Sequence, residues 1–360
     1  MDLVTVWFVA IAALWLGFLL LEGFDFGVAM LLPVLGRTPA DRSLMLRSIG
    51  PVWDGNEVWL VTAIGATFAA FPAWYASWLS ASYLLFVLLV VALIGRAVAF
   101  EWRHARHSQR WERRWTHVIT TGSVVAALGV GAALGGTTLG LPIGADNTRA
   151  GGPLAWATWG AALGALAVLA FSFVHGAIFL ALKLNGPLRV RALAVARRAA
   201  LPAAAPLLLW AGITHSRNGT AVGSALLLVA VAAAVTTWSR LRAEREGQAF
   251  LAWMGLLAAT LGTVFVTAWP VLLPSTLNAA FDLTAQSAAV SAYTLTVMTW
   301  VTAFGLPAVL VYQGWTYWVF RQRLNATPDQ GAPKLPVAPR STADRLDIGV
   351  VSREAVPHIH

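Results

Sequence analysis

The chain has 360 residues, 58% of them hydrophobic and 11% charged, with a formal net charge of +9 and no cysteine. A soluble domain is about 45–50% apolar and about 25% charged, so this composition excludes a freely soluble globular protein and leaves lipid to cover the surface. The missing thiols exclude disulfides, thiolate metal sites, iron–sulfur clusters and covalent CxxCH haem attachment, and basic residues placed between apolar runs and in the tail mark topology rather than a nucleic-acid face.

At about 20 apolar residues per span, nine candidates follow in chain order, at 4–35, 51–71, 74–100, 117–139, 154–182, 198–213, 221–238, 250–273 and 288–320. The first run lacks a basic n-region and a small-residue cleavage site and outlasts a signal-peptide core, so it is expected to be a retained span. The sixth is short and interrupted by Pro202 and Pro206. The first and last exceed a bilayer's thickness, which predicts tilt or interfacial extensions.

Basic residues alternate between the loops. Arg37, Arg42 and Arg47 follow the first span; Arg103, Arg106, Arg110, Arg113 and Arg114 follow the third; Lys183, Arg189 and Arg191 follow the fifth; Arg240, Arg242 and Arg245 follow the seventh. The intervening loops carry only Arg149 and Arg217. The positive-inside rule then places the N-terminus outside and the C-terminus in the cytoplasm, which requires an odd number of spans, as nine is. An all-α polytopic membrane protein is expected, with a transmembrane domain at 1–320 and, at 321–360, a mobile cytoplasmic tail of Pro, Asp, Arg and Ala without periodicity.

Ionisable residues inside spans are costly unless paired or hydrated, and so point to function. In "LLLEGFDFGVAMLLP", Glu22 and Asp25 are three apart and share a helix face. Gly23 and Gly27 form a GxxxG pattern that lets another helix approach. The second span opens "GPVWDGNEVW", with Asp54 and Glu57 again three apart. Acids in a first turn also serve as plain helix caps, and that reading stands beside the functional one. At 1.5 Å per residue, Asp25 lies about 18 Å and Asp54 about 10 Å from the inner boundary, so the two pairs would form a ladder from the cytoplasmic side. Arg96, at the inner end of the third span, is placed to neutralise one acid. Carboxylates this close share protons, which suits a proton path and equally a static ion-paired lock.

Of seven histidines, only His175 in "FSFVHGAIFL" and His117 at a helix start are membrane candidates; His104 and His107 sit in a loop, His215 at an outer loop, and His358 and His360 are too sparse for a metal site. A chain carrying several haems would need more axial ligands, so His175 reads as polar packing or, alternatively, a ligand. Trp7, Trp74, Trp78, Trp102 and Trp318 fall near span boundaries and fit an aromatic belt, while Trp53 and Trp59 flank the acids.

The segments "EGFDFGVAMLLP", "PVWDGNEVWLVTAIGATFAAFP", "GRAVAFEWR", "HGAIFLALK" and "LPSTLNAAFD…LTVMTWVTAFGLPAVLVYQGWTYW" together resemble subunit II of the cytochrome bd-type quinol oxidases, in order from the first span to the last. The match is looser from about 137 to 249 and leaves the tail uncovered. The resemblance implies two four-helix bundles plus a peripheral helix, paired with a haem-bearing subunit I in the bacterial cytoplasmic membrane. It implies a complex that oxidises membrane quinol and reduces O2 to water with protons from the cytoplasm. Haems b and d would lie in the partner, with no catalytic group or metal in this chain. Asp25 and Asp54 would feed protons toward the oxygen site, with Glu22 and Glu57 beside them. A structural quinone, oxygen channels and small single-helix accessory subunits are also associated with the family. The alternative from another class is a proton-coupled secondary transporter, although the chain shows no second copy of the WDGN block and no midplane repeat.

Overall fold

In hydrocarbon, backbone polar groups find partners only within a helix or a closed barrel, so the apolar runs become helices. The computed structural model describes residues 2–106 and 108–325. Its helices are α1 (Leu3–Leu35), α2 (Pro39–Ile49), α3 (Trp53–Ala70), α4 (Pro72–Ala81), α5 (Tyr83–Trp102), α6 (Gln109–Leu139), α7 (Trp159–Lys183), α8 (Gly186–Arg217), α9 (Ala221–Arg242), α10 (Glu246–Ala268), α11 (Ala285–Ala288) and α12 (Ala292–Val319). Eight of these, α1, α5 to α10 and α12, are long and apolar enough to cross a membrane. The 18-residue α3, which carries Asp54 and Glu57, is not among them.

Several elements differ from the sequence expectation. The first basic loop contains α2, started by a Thr38–Asp41 capping box with Pro39 in the first turn, and it buries Leu44, Met45 and Ile49. The run at 74–100 is two helices, because Ser82 (φ −107°, ψ 24°) leaves helical geometry between α4 and α5. The run at 198–213 is the middle of the 32-residue α8, which carries Pro202 and Pro206 within it. The run at 250–273 stops at Ala268; Val271–Leu273 is instead β1, paired antiparallel with β2 (Leu283–Thr284). The fold is therefore helical with one small hairpin. Of the expected tail, residues 321–325 are described and 326–360, with His358 and His360, lie outside the described residues, as does His107.

Helix α1 is central, packing on α3, α6 and α7. The GxxxG expectation is met: a Cβ added at Gly27 would lie 1.9 Å from the Ser172 carbonyl oxygen, and one at Gly176 would lie 2.3 Å from the Gly27 carbonyl carbon. Backbones this close give α1 and α7 dense van der Waals contact, the main attraction between helices in lipid. Gly131 and Gly135 of α6 meet Gly164 of α7 equally closely. In contrast, α12 buries only Leu295. It is pinned at one end by Trp7, whose Nε1 donates to Thr299 Oγ1 (3.1 Å) and the Leu295 carbonyl (3.3 Å). At the other end Leu324 N donates to the Lys183 carbonyl (2.9 Å) and Asn185 N to the Leu324 carbonyl (3.1 Å).

Three aromatic-belt expectations are corrected. Trp74 and Trp78 are fully buried, donating to Thr137 Oγ1 (2.9 Å) and the Ala133 carbonyl (3.2 Å), and Trp7 is buried against α12. They sit inside because the indole N–H found a protein partner. Trp102 and Trp318 are exposed, as a belt requires. The basic segments gather at one end, tied by ion pairs Arg191–Asp41 (2.9 Å), Arg197–Glu244 (3.1 Å), Arg103–Glu112 and Arg189–Glu246.

Candidate functional site

Glu22 and Asp25 are both fully buried. Although three apart on α1, they engage different helices. Glu22 Oε1 pairs with Arg96 Nη1 of α5 at 2.5 Å, and the same nitrogen is 3.8 Å from Glu57 Oε1 of α3. Asp25 Oδ2 instead accepts from Asn56 Nδ2 of α3 at 2.7 Å. Arg96 has no exposed surface, and its guanidinium lies over the rings of Phe26 (4.9 Å) and Phe100 (5.3 Å). The aromatic faces add cation–π attraction to a charge that hydrocarbon alone would not hold.

Two acids, Glu22 and Glu57, thus meet one arginine, with Asp25 held beside Glu22 by Asn56. Among the described residues, Glu22 Oε2, Asp25 Oδ1, and Arg96 Nε and Nη2 have no hydrogen-bond partner. Buried polar atoms of this kind are rare in a finished core and mark either bound water or a site whose protonation changes.

Asp54 stands exposed in the first turn of α3, and Arg47 lies in the separate helix α2 that precedes it. It lines an open cavity of about 620 Å³ with Trp53, Glu101 and Trp102. Trp53 stacks on Phe100 at 4.7 Å and so walls this vestibule from the Arg96 side. Glu57, one turn further along α3, is half-buried and faces Arg96. Arg96 therefore serves Glu22 and Glu57, while Asp54 makes no ion pair among the described residues.

His175 of α7 is buried with Nε2 at 3.0 Å from the Leu20 carbonyl. Its ring stacks on Phe250 (4.6 Å, 11°) and leans on Phe171 (4.8 Å), with Phe24 at 5.8 Å. A haem plane would have to displace these rings, so the residues present here do not fit one. No group of three or more His, Cys, Asp or Glu placed to hold a metal occurs among the described residues.

Asn56, Gln313 and Tyr317 are functional candidates that a search for charged residues passes over. Asn56 is fully buried and Asp25's direct partner, and its Oδ1 accepts from Gln313 Nε2 (3.0 Å) and the Tyr317 hydroxyl (2.8 Å) of α12. The sequence carries only a weak trace of them, a polar residue between Asp54 and Glu57 in WDGNEVW and a Gln–Tyr pair at i, i+4 in a helix that also holds several threonines.

A model of the cytochrome bd terminal oxidase subunit II family matches residues 3–320. Cytochrome bd ubiquinol oxidase subunit 2 of Bacillus subtilis (strain 168) is 35% identical over 325 residues, 89% of this chain and 96% of that protein. Cytochrome bd-I ubiquinol oxidase subunit 2 of Escherichia coli (strain K12) is 30% identical over 351 residues, 87% of this chain and 93% of that protein. The bd oxidase structure from Geobacillus thermodenitrificans superposes with a TM-score of 0.72 over 89% of this chain and 99% of that one; at 17% identity this likeness concerns the fold alone.

Proposed function

The chain belongs to the cytochrome bd terminal oxidase subunit II family, and on that premise we propose that its own work is to carry protons to, and to support, a haem-bearing subunit I. It is a subunit of a quinol oxidase, an oxidoreductase, and a multi-pass protein of the bacterial inner membrane. That membership sets the transporter alternative aside. In this reading the complex oxidises membrane quinol and reduces O2 to water, the b and d haems lie in subunit I, and protons come from the cytoplasm. A structural quinone and single-helix accessory subunits are further partners that the resemblance suggests. The chain is read as nine spans, with α3 as the ninth and with α4 and α5 sharing one crossing. One four-helix bundle comprises α1, α3, α5 and α6, the other α7 to α10, and α12 is peripheral. The N-terminus faces outside and the arginine-rich end faces the cytoplasm.

The observation that carries the proton reading is the buried cluster with partnerless carboxylate oxygens beside Arg96. Asp54 at the open vestibule takes up a proton, and Glu57 one turn inward passes it toward Glu22 and Asp25. Arg96 balances the negative charge left when a carboxyl gives its proton up. The test is turnover of the assembled complex bearing Asp25→Asn or Asp54→Asn. With haem content unchanged, each is expected to lower turnover by about 10²-fold or more, the scale of a lost proton-transfer group. Wild-type turnover in both would leave the acids as a static lock.

A further inference from the structure

Helix α12 exposes nearly its whole length, yet it sends two polar side chains to a single buried atom. Gln313 Nε2 and the Tyr317 hydroxyl both donate to Asn56 Oδ1, at 3.0 and 2.8 Å. The Asn56 amide nitrogen in turn donates to Asp25 Oδ2 (2.7 Å) and the Leu21 carbonyl (3.3 Å). A primary amide offers two donor hydrogens and two lone pairs, so all four positions of Asn56 are engaged. Turning the amide over would set its oxygen against the Leu21 carbonyl and the Asp25 carboxylate, and its NH2 against the Gln313 amide nitrogen. The orientation is therefore fixed by its partners.

We propose that Gln313 and Tyr317 are positioning residues of the proton path: by holding the Asn56 amide from α12 they aim its N–H at Asp25. This rests on the reading of Asp25 as a proton carrier and assigns the peripheral helix a part in it. The titratable and charged groups near Asp25 are Glu22 on its own helix, Glu57 on α3, Arg96 on α5 and Tyr317 on α12, while His175 on α7 packs against Phe24. Losing either α12 donor leaves Asn56 Oδ1 short of a partner and lets the amide tilt about its remaining bonds, so Asp25 loses a well-aimed donor while keeping its charged neighbours. The helix itself stays attached through Trp7 at one end and Leu324 at the other.

The test uses the intact complex with Tyr317→Phe, Gln313→Leu and, as control, Trp7→Phe, which loosens α12 far from Asn56. The Asp25 carboxyl stretch is identified in infrared difference spectra as the band missing from Asp25→Asn. Tyr317→Phe and Gln313→Leu are expected to shift that band. They should also move the pH midpoint of turnover by about half a unit or more, the scale of one neutral hydrogen bond. Trp7→Phe should change neither. An unmoved band and midpoint in both α12 variants overturns the inference, and so do equal shifts in Trp7→Phe, which would make the effect one of helix docking. If one α12 variant fails to assemble with its haems, the other decides. Should Asp25→Asn keep full turnover, the proton-path reading falls, while the band shift still decides whether α12 orients this carboxyl.

Discussion

Two groups of arginine–carboxylate pairs occupy opposite environments in this molecule. Arg96–Glu22 lies in the helix interior with neither side chain exposed. At the arginine-rich end, Arg191–Asp41 leaves each side chain about a fifth exposed, at 20% and 21%. Arg103–Glu112 falls between them, with the arginine buried and the carboxylate 28% exposed. The chemistry is the same, but the energetics are not. A rim pair gives up little solvation and clamps neighbouring elements, here α2 to α8. A fully buried pair gives up several kcal/mol of hydration per ion, which apolar packing would not have cost. A buried pair that also leaves oxygens without partners is thus poorly explained by stability alone, whereas the rim pairs need no other explanation.

The largest expected effect comes from breaking the interior pair. Arg96→Leu leaves Glu22 and Glu57 without their counter-charge, and removing one partner of a buried pair costs about 3–5 kcal/mol. Loss of assembled complex in mild detergent is the expected outcome. The double variant Arg96→Leu with Glu22→Leu removes both charges and should recover much of the yield, since an apolar replacement of a buried pair is close to neutral. It should not recover turnover. A double variant with wild-type turnover would make the interior pair a lock like those at the rim.

Glu112→Gln probes the intermediate case. Burial pulls the Arg103 guanidinium down from the usual arginine range and the Glu112 carboxylate pushes it back up. Without that carboxylate's charge, Arg103 keeps the Thr116 hydroxyl at 3.2 Å. A loss of about 1–3 kcal/mol is expected, read as a lower thermal midpoint, with turnover unchanged.

How far the sequence showed this contrast depended on charge. Glu22, Asp25 and Arg96 stood out because a charge in an apolar run is conspicuous, and their burial follows from it. The helix-crossing glycines were legible for a similar reason, since Gly23 and Gly27 recur at one-turn spacing. Asn56, Gln313 and Tyr317 were not legible: uncharged polar residues are tolerated in spans, and only the fold brings residue 56 against residue 317. Helix α2 was not legible either, because basic residues at 42 and 47 read as a loop between spans. A capping box at Thr38 and Asp41 makes them a helix lying before α3. The Ser82 break was hidden as well, since neither proline nor glycine lies near it to mark one.

The smallest effect belongs to the partly solvated Arg191–Asp41 pair, and it should be visible chiefly through pH. Partial burial alone would raise the Asp41 carboxyl, but the hydrogen bond and charge of Arg191 and the backbone amides of Thr38 and Arg37 outweigh it and hold it below the usual aspartate value. A carboxyl whose folded-state pKa is depressed contributes stability that is fully present above its unfolded pKa of about 3.9 and is lost as pH falls through the folded value. Docking of α2 on α8 should therefore be unchanged between about pH 8 and 5 and should weaken below about pH 4. Because the pair is partly solvated, the loss is about 1 kcal/mol or less. Hydrogen exchange of the α2 amides is the direct measurement: in wild type they should exchange faster only in that acid window. In Asp41→Asn they should exchange faster at neutral pH as well, with little further change on acidification. An acid response that survives in Asp41→Asn would mean that another carboxylate holds α2. Turnover should stay at the wild-type level at neutral pH in that variant, because a rim clamp fixes the position of α2 without entering the buried cluster.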